Sequence, residues 1–160
     1  MTEPFACTIN GRTSQELPPD EARSRISATL GRMDGEALFA YSLWQQPEGV
    51  DWGDALPPDW PHEFIQSAGA SDAMSVEIRR LESDEPRQYA IGKPGESRDA
   101  EDRVIVWGPS RRELTVAESE VFTAEEASQV YRFYYENKTV PPGYTLRLLD
   151  LTYPKPEASK

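Results

Sequence analysis

The chain has 160 residues, is 38% hydrophobic, and carries 14 prolines, one cysteine and a formal charge of −11. That length supports one domain with a core of its own. It holds no apolar run near the roughly 20 residues of a membrane-spanning helix, and a single cysteine excludes an internal disulfide framework. An acidic surface repels nucleic acid and anionic membrane and attracts basic proteins.

The charge is unevenly placed. Residues 1–32 hold four acids and four bases, and residues 74–160 hold sixteen acids against thirteen bases. Residues 33–73 hold eight acids and no lysine or arginine. Most of the net charge therefore comes from one quarter of the length.

In chain order, Met1 to Cys7 lacks the basic-then-apolar order of a signal peptide, so a cytoplasmic location is expected. Cys7 reads as a small apolar residue near a first strand. Pro18-Pro19-Asp20-Glu21 opens a helix, with proline and acids where the first turn accepts them. Ala22, Ile26, Leu30 and Met33 mark its buried stripe, and Asp34-Gly35 ends it. Ala37 to Trp44 reads as a central strand, apolar and aromatic on both faces.

From 45 to 73 no period is legible. Four prolines, two tryptophans and a row of acids indicate a long inserted loop, and loops of that length in a small domain are functional or disordered. Trp52, Trp60 and Phe64 argue for order, because disordered segments are poor in aromatics. Met74, Val76 and Ile78 alternate with Ser75, Glu77 and Arg79, as in a half-buried strand. A turn at 83–86 leads to a strand over 88–92, and 93–102 is a polar loop. Residues 104–107 form a buried strand that turns at Gly108-Pro109-Ser110 and returns over 113–116.

Thr123 and Glu126 form a capping box for a helix whose buried face is Ala127, Val130, Tyr131 and Tyr134. Asn137 and the run Val140-Pro141-Pro142-Gly143 stop it, and Tyr144 to Leu151 closes the fold as a strand. The expected architecture is α+β: an antiparallel meander sheet with an N-terminal and a C-terminal helix packed on it. It spans residues 1–153, with a loose tail over 154–160.

Patterns for chemistry are sparse. Gly92-Lys93-Pro94-Gly95 lacks P-loop spacing. One histidine and one cysteine far apart do not make a zinc site, and Asp51, Asp54 and Asp59 lack EF-hand spacing, so neither metal nor cofactor is expected. His62 beside Glu63 has no nucleophile marked near it and reads as a loop histidine. The run Tyr131, Phe133, Tyr134, Tyr135 does not share one helix face and lacks the basic groove of a base-stacking platform. Arg111-Arg112 reads as a solvated pair.

One constellation stands out: Asp51, Trp52, Asp54, Asp59, Trp60 and Glu63. Tryptophan anchors among carboxylates suit an interface with a basic protein, the rings giving buried area and the acids steering and pairing. The alternative is that both tryptophans only fold the loop back onto the sheet, and the sequence supports the two readings equally.

The C-terminal unit (Val121-Phe122-Thr123 leading into the capped helix, its aromatics, the Asn137-Lys138 and Pro141-Pro142 segment and a closing strand) resembles the end of immunity protein family one. The preceding strands, 74–81, 88–92 and 104–107, are similar in order to that family's central sheet, so the resemblance covers about residues 74–151. These are small bacterial antidotes of polymorphic toxin systems. The resemblance implies an α+β protein without catalysis that binds a cognate toxin in the cytosol and blocks it. The acidic loop would then suit the basic cleft of a toxin acting on DNA or RNA. The expected partner is a basic protein, with no direct contact to nucleic acid or membrane and a monomer when alone. An acidic adaptor or nucleic-acid mimic for another basic protein is the second reading, and a carboxylate-based enzyme the third, because a carboxylate pair leaves little trace in sequence.

Overall fold

The computed structural model describes residues 4–95 and 102–149. Nine strands and two helices follow one another: β1 (Phe5–Ile9), β2 (Thr13–Leu17), α1 (Ala22–Gly31), β3 (Ala40–Gln45), β4 (Phe64–Ala70), β5 (Ala73–Glu82), β6 (Glu85–Gly92), β7 (Asp102–Trp107), β8 (Arg112–Ala117), α2 (Ala124–Asn137) and β9 (Thr145–Leu148). A single 3₁₀ turn, Glu118–Glu120, precedes α2. Seven strands make one antiparallel sheet in the order β2-β1-β3-β4-β5-β6-β9, and β7 and β8 pair as a separate hairpin. The expected α+β class with an antiparallel sheet and two packed helices holds.

The opening hairpin is set by Asn10-Gly11. Both residues take left-handed dihedrals, φ 58° and 67°, and Arg12 N–H closes the turn on Ile9 C=O at 3.0 Å. Asn-Gly is the pair favoured where both central residues of a turn have positive φ. The Asn10 side chain then accepts from the amides of Phe39 and Ala40 and donates to Ala37 C=O. One residue thus fixes the turn and the start of β3.

α1 starts one residue after Glu21, so Asp20 and Glu21 lie before its first turn and not within it. Ala22, Ile26 and Leu30 are buried as the spacing requires, and Met33 follows them inside. The Asp34 carboxylate accepts from the amides of Glu36, Ala37 and Leu38, which shapes the turn into β3. β3 begins at Ala40, later than the expected Ala37, because residues 35–39 are occupied by that turn. Cys7 lies buried in β1.

The helix-covered face of the sheet supplies the core. Phe5, Tyr41, Leu43, Ile65, Met74, Val76, Ile78 and Ile91 pack with the α1 stripe and with Ala127, Val130, Tyr131 and Tyr134 of α2. Thr123 and Glu126 make both bonds of the capping box, at 3.2 and 2.9 Å. Lys138, at φ 60°, ends α2 in the left-handed conformation usually given to glycine, while Gly143 serves a later turn. Arg23 of α1 binds Glu136 of α2, and Arg132 reaches Ser27 at 3.2 Å.

Two expectations need correction. The loop is shorter than 45–73, because Phe64–Ala70 is strand β4. Val104 to Trp107 is not a buried strand of the main sheet: only Ile105 is buried, and Val104 is 55% exposed. Its hairpin packs through Ile105 and Val116 against Val121 and Ala73. Strand β9 is described over Thr145–Leu148, and the rest of the expected strand beyond 149, the tail and most of the 93–102 loop lie outside the described residues.

Candidate functional site

The loop that carries the acidic constellation runs from 46 to 63, between β3 and β4. It holds five carboxylates and no lysine or arginine. Three turns give it shape. Val50 N–H bonds Pro47 C=O, Asp54 N–H bonds Asp51 C=O, and Trp60 N–H bonds Pro57 C=O, at 3.3, 3.1 and 3.1 Å. In each turn the third residue (Gly49, Gly53, Asp59) has positive φ, as type II turns require. Proline and glycine spacing that reads as irregular in sequence is therefore a succession of turns.

The six expected site residues divide into two groups. Trp60 and Glu63 are fastened to the sheet. The Trp60 indole N–H donates to Gln45 C=O at 3.1 Å, and its ring meets His62 edge-on at 5.2 Å. Glu63 accepts the amide of Leu81 at 3.0 Å, closing the end of the β4–β5 pair. Asp51, Trp52, Asp54 and Asp59 are exposed, Trp52 to 42%. Pinning is thus the role of Trp60, and Trp52 stands free of it.

Apolar exposure gathers here. Among the described residues five large apolar side chains are exposed, and three of them are Trp52, Leu56 and Leu81. Trp52 and Leu56 lie in the loop, and Leu81 lies at its base beside Glu63. Leu56 and Leu81 were not expected from sequence, since a lone leucine in a Pro-rich segment or a strand end gives no signal of exposure.

Two clefts open on either side of the loop base and share His62 and Leu81. One, of about 280 Å³, is lined also by Trp60, Glu63, Tyr134 and Lys138. Burial pushes the Tyr134 phenol well above its ordinary range, with the Glu63 charge adding to the shift, so this tyrosine stays protonated. Lys138 bonds Gln45 and closes the α2 end of the cleft. The other, of about 450 Å³, lies between the loop and the β5–β6 turn and is lined by Asp59, His62, Phe64, Arg79, Leu81 and Asp84 among others. Sequence placed Arg79 on a strand face but gave no hint of this cleft, which depends on the register pairing Phe64 with Arg79.

Chemically, the region presents carboxylates, three exposed apolar side chains, one imidazole and the cations Arg79 and Lys138. Among the described residues no group of three His, Cys, Asp or Glu side chains gathers to hold a metal ion. No helix there is long and apolar enough to cross a membrane. No family model matches the chain, and no curated protein matches it.

Proposed function

We propose that this chain is an inhibitory binding protein of the immunity kind. It neutralises a basic toxin, one acting on nucleic acid, by covering the toxin's active-site cleft in the bacterial cytoplasm. The observation that carries this reading is the 46–63 loop, where Trp52 and Leu56 are exposed among five carboxylates without one lysine or arginine. Exposed apolar anchors ringed by like charge suit an interface with a partner of opposite charge. The resemblance of residues 74–151 to immunity protein family one supports the same reading.

In this reading the protein acts by occupying a surface and turns over no substrate. The acids steer the encounter, and Trp52 with Leu56 holds the complex once formed. Affinity capture from the native host, followed by mass spectrometry, tests it directly. Wild type should retain a basic toxin domain that an Asp51→Lys, Asp54→Lys, Asp59→Lys variant loses. Retention by both proteins of the same partner would place the interface elsewhere. Reproducible turnover in a broad substrate screen, abolished by Asp51→Asn with Asp54→Asn, would replace binding by catalysis.

A further inference from the structure

Among the described residues the half-buried arginines are paired with carboxylates, with one exception. Arg25 meets Glu21 at 3.6 Å, Arg80 meets Glu82 at 2.8 Å, Arg87 meets Glu85 at 3.1 Å and Arg147 meets Glu120 at 2.8 Å. Among the described residues Arg79 has no such partner, although the chain carries 28 acids. Its Nε–H is buried without an acceptor. The Phe64 ring lies against it, 5.9 Å from the guanidinium carbon.

A guanidinium held on an aromatic face with an unanswered buried donor is costly in an isolated chain. Its geometry, a planar fork of N–H groups, is the one that receives a carboxylate. Arg79 lines the cleft of about 450 Å³ between the loop and the β5–β6 turn. Asp59 and Asp84 line it as well. Each sits in a turn at positive φ, 63° and 66°, so the two carboxylates are carried by separate, defined turns.

A cation flanked by two carboxylates discriminates among anions. A bare phosphate meets repulsion from Asp59 and Asp84. A segment that carries a carboxylate between cations sets the carboxylate against Arg79 and the cations against Asp59 and Asp84, so each of the three groups meets an opposite charge. We propose that the Arg79 cleft receives an acidic side chain of the partner protein, its carboxylate on the Arg79 guanidinium and its flanking lysines or arginines against Asp59 and Asp84. The inference rests on the reading that this loop faces a basic protein, and it adds the register: one acidic residue within a basic segment of the partner.

His62 is the chain's one histidine and lines the same cleft. Its imidazole Cε1–H therefore gives a single assignable proton signal. The test titrates the full chain, at fixed pH, with acetyl-Lys-Glu-Lys-amide, with acetyl-Lys-Gln-Lys-amide and with inorganic phosphate. The glutamate peptide should move the His62 signal saturably. Replacing its glutamate by glutamine, or Arg79 by glutamine, should weaken the response about tenfold or more, as loss of a charge-assisted pair does. Phosphate should give no saturable shift. Arg79→Gln should melt no lower than wild type, because no internal ion pair is lost.

Equal response to the two peptides, a response that survives Arg79→Gln, saturable binding of phosphate, or no response at all would each overturn the proposal. A clear fall in the melting temperature of Arg79→Gln would also overturn it, by giving Arg79 a structural role. Any of these results, with salt-dependent partner association intact, removes this cleft alone and leaves the loop as the interface.

Discussion

Single side chains here do several jobs, and Tyr131 is the clearest. Its buried hydroxyl donates to Tyr41 C=O at 3.1 Å and pairs with the Ser67 hydroxyl at 2.9 Å, and its ring stacks on Tyr41 at 5.6 Å. Tyr131→Phe keeps the ring and strands the polar atoms on β3 and β4, so the unfolding free energy should fall by about 1–3 kcal/mol. Chemical denaturation measures this. Thr123→Ala removes one half of the capping box and should cost about 0.5–2 kcal/mol. An unchanged midpoint would mean that α2 does not depend on its cap.

Acid sensitivity belongs to the same scale. Backbone amides, Leu38 first and then Glu36, hold the Asp34 carboxyl below its ordinary value. The Thr123 amide, and after it Lys93, does the same for Glu126. A carboxyl whose folded pKa lies below its unfolded one adds stability that is fully present above the unfolded pKa, near 4. That stability is lost as pH falls through the depressed folded value. The melting temperature should therefore drop below about pH 4, and Asp34→Asn with Glu126→Gln should flatten that drop. An equal drop in the double variant would assign it to other carboxylates.

Among the elements, β4 is the one that joins the layers. Gly69 sits at φ 129°, and a Cβ there would come within 2.4 Å of Ala73 C=O and 2.9 Å of Ile105 Cγ2. Only a residue without a side chain lets the β7–β8 hairpin lie this close to the β4–β5 turn. Gly69→Ala should destabilise by about 1–3 kcal/mol, and proteolysis should cut the hairpin first. Unchanged stability would show that the hairpin can shift without cost.

The same strand shows why part of the fold was illegible in sequence. Ser67 and Gly69 face the core because Tyr131 and Ile105 come down on them, so the buried positions are small and the alternation is hidden. Asn10-Gly11 was a plain hairpin signal and would have placed β1 and β2, but β2 is polar along its whole exposed length and lacks a strand's alternation. The helices, the alternation of β5 and the capping box were legible because each is local. The site was legible in composition and not in geometry. Nothing in sequence separates Trp60, whose indole finds a backbone carbonyl, from Trp52, whose ring does not. The Arg79 cleft depends on strand register, which a one-residue slip would undo.

At the scale of the whole molecule, the structure separates a helix-covered face of the sheet from one crossed by a mostly polar row. The helices seal one face of the sheet. The register lays Ser14, Thr8, Ser42, Gln66, Glu77, Ala90 and Arg147 in one row across the other, where Gln66 and Gln88 both donate to Glu77. The acidic loop leaves from the end of this sheet between β3 and β4. Because Trp60 and Glu63 fasten its base, Trp52 can stay exposed without the loop collapsing. The two tryptophans should therefore part company on mutation. Trp60→Ala should lower the melting temperature, whereas Trp52→Ala should leave it alone and raise the off-rate of the partner, costing about 2 kcal/mol of binding. Loss of stability in both would return Trp52 to a pinning role.

The central claim is that the loop's carboxylates steer a basic partner. The direct measurement is the association rate constant of the captured partner across ionic strength, for wild type and for the Asp51→Lys, Asp54→Lys, Asp59→Lys variant. Glu63 is left in place, since its carboxylate holds the Leu81 amide. Exposed charges are screened beyond a Debye length of about 8 Å at physiological salt. Wild-type association should thus slow steeply as salt rises, and the variant should associate more slowly at low salt and lose that dependence. Equal on-rates and equal salt slopes for the two proteins would contradict the account.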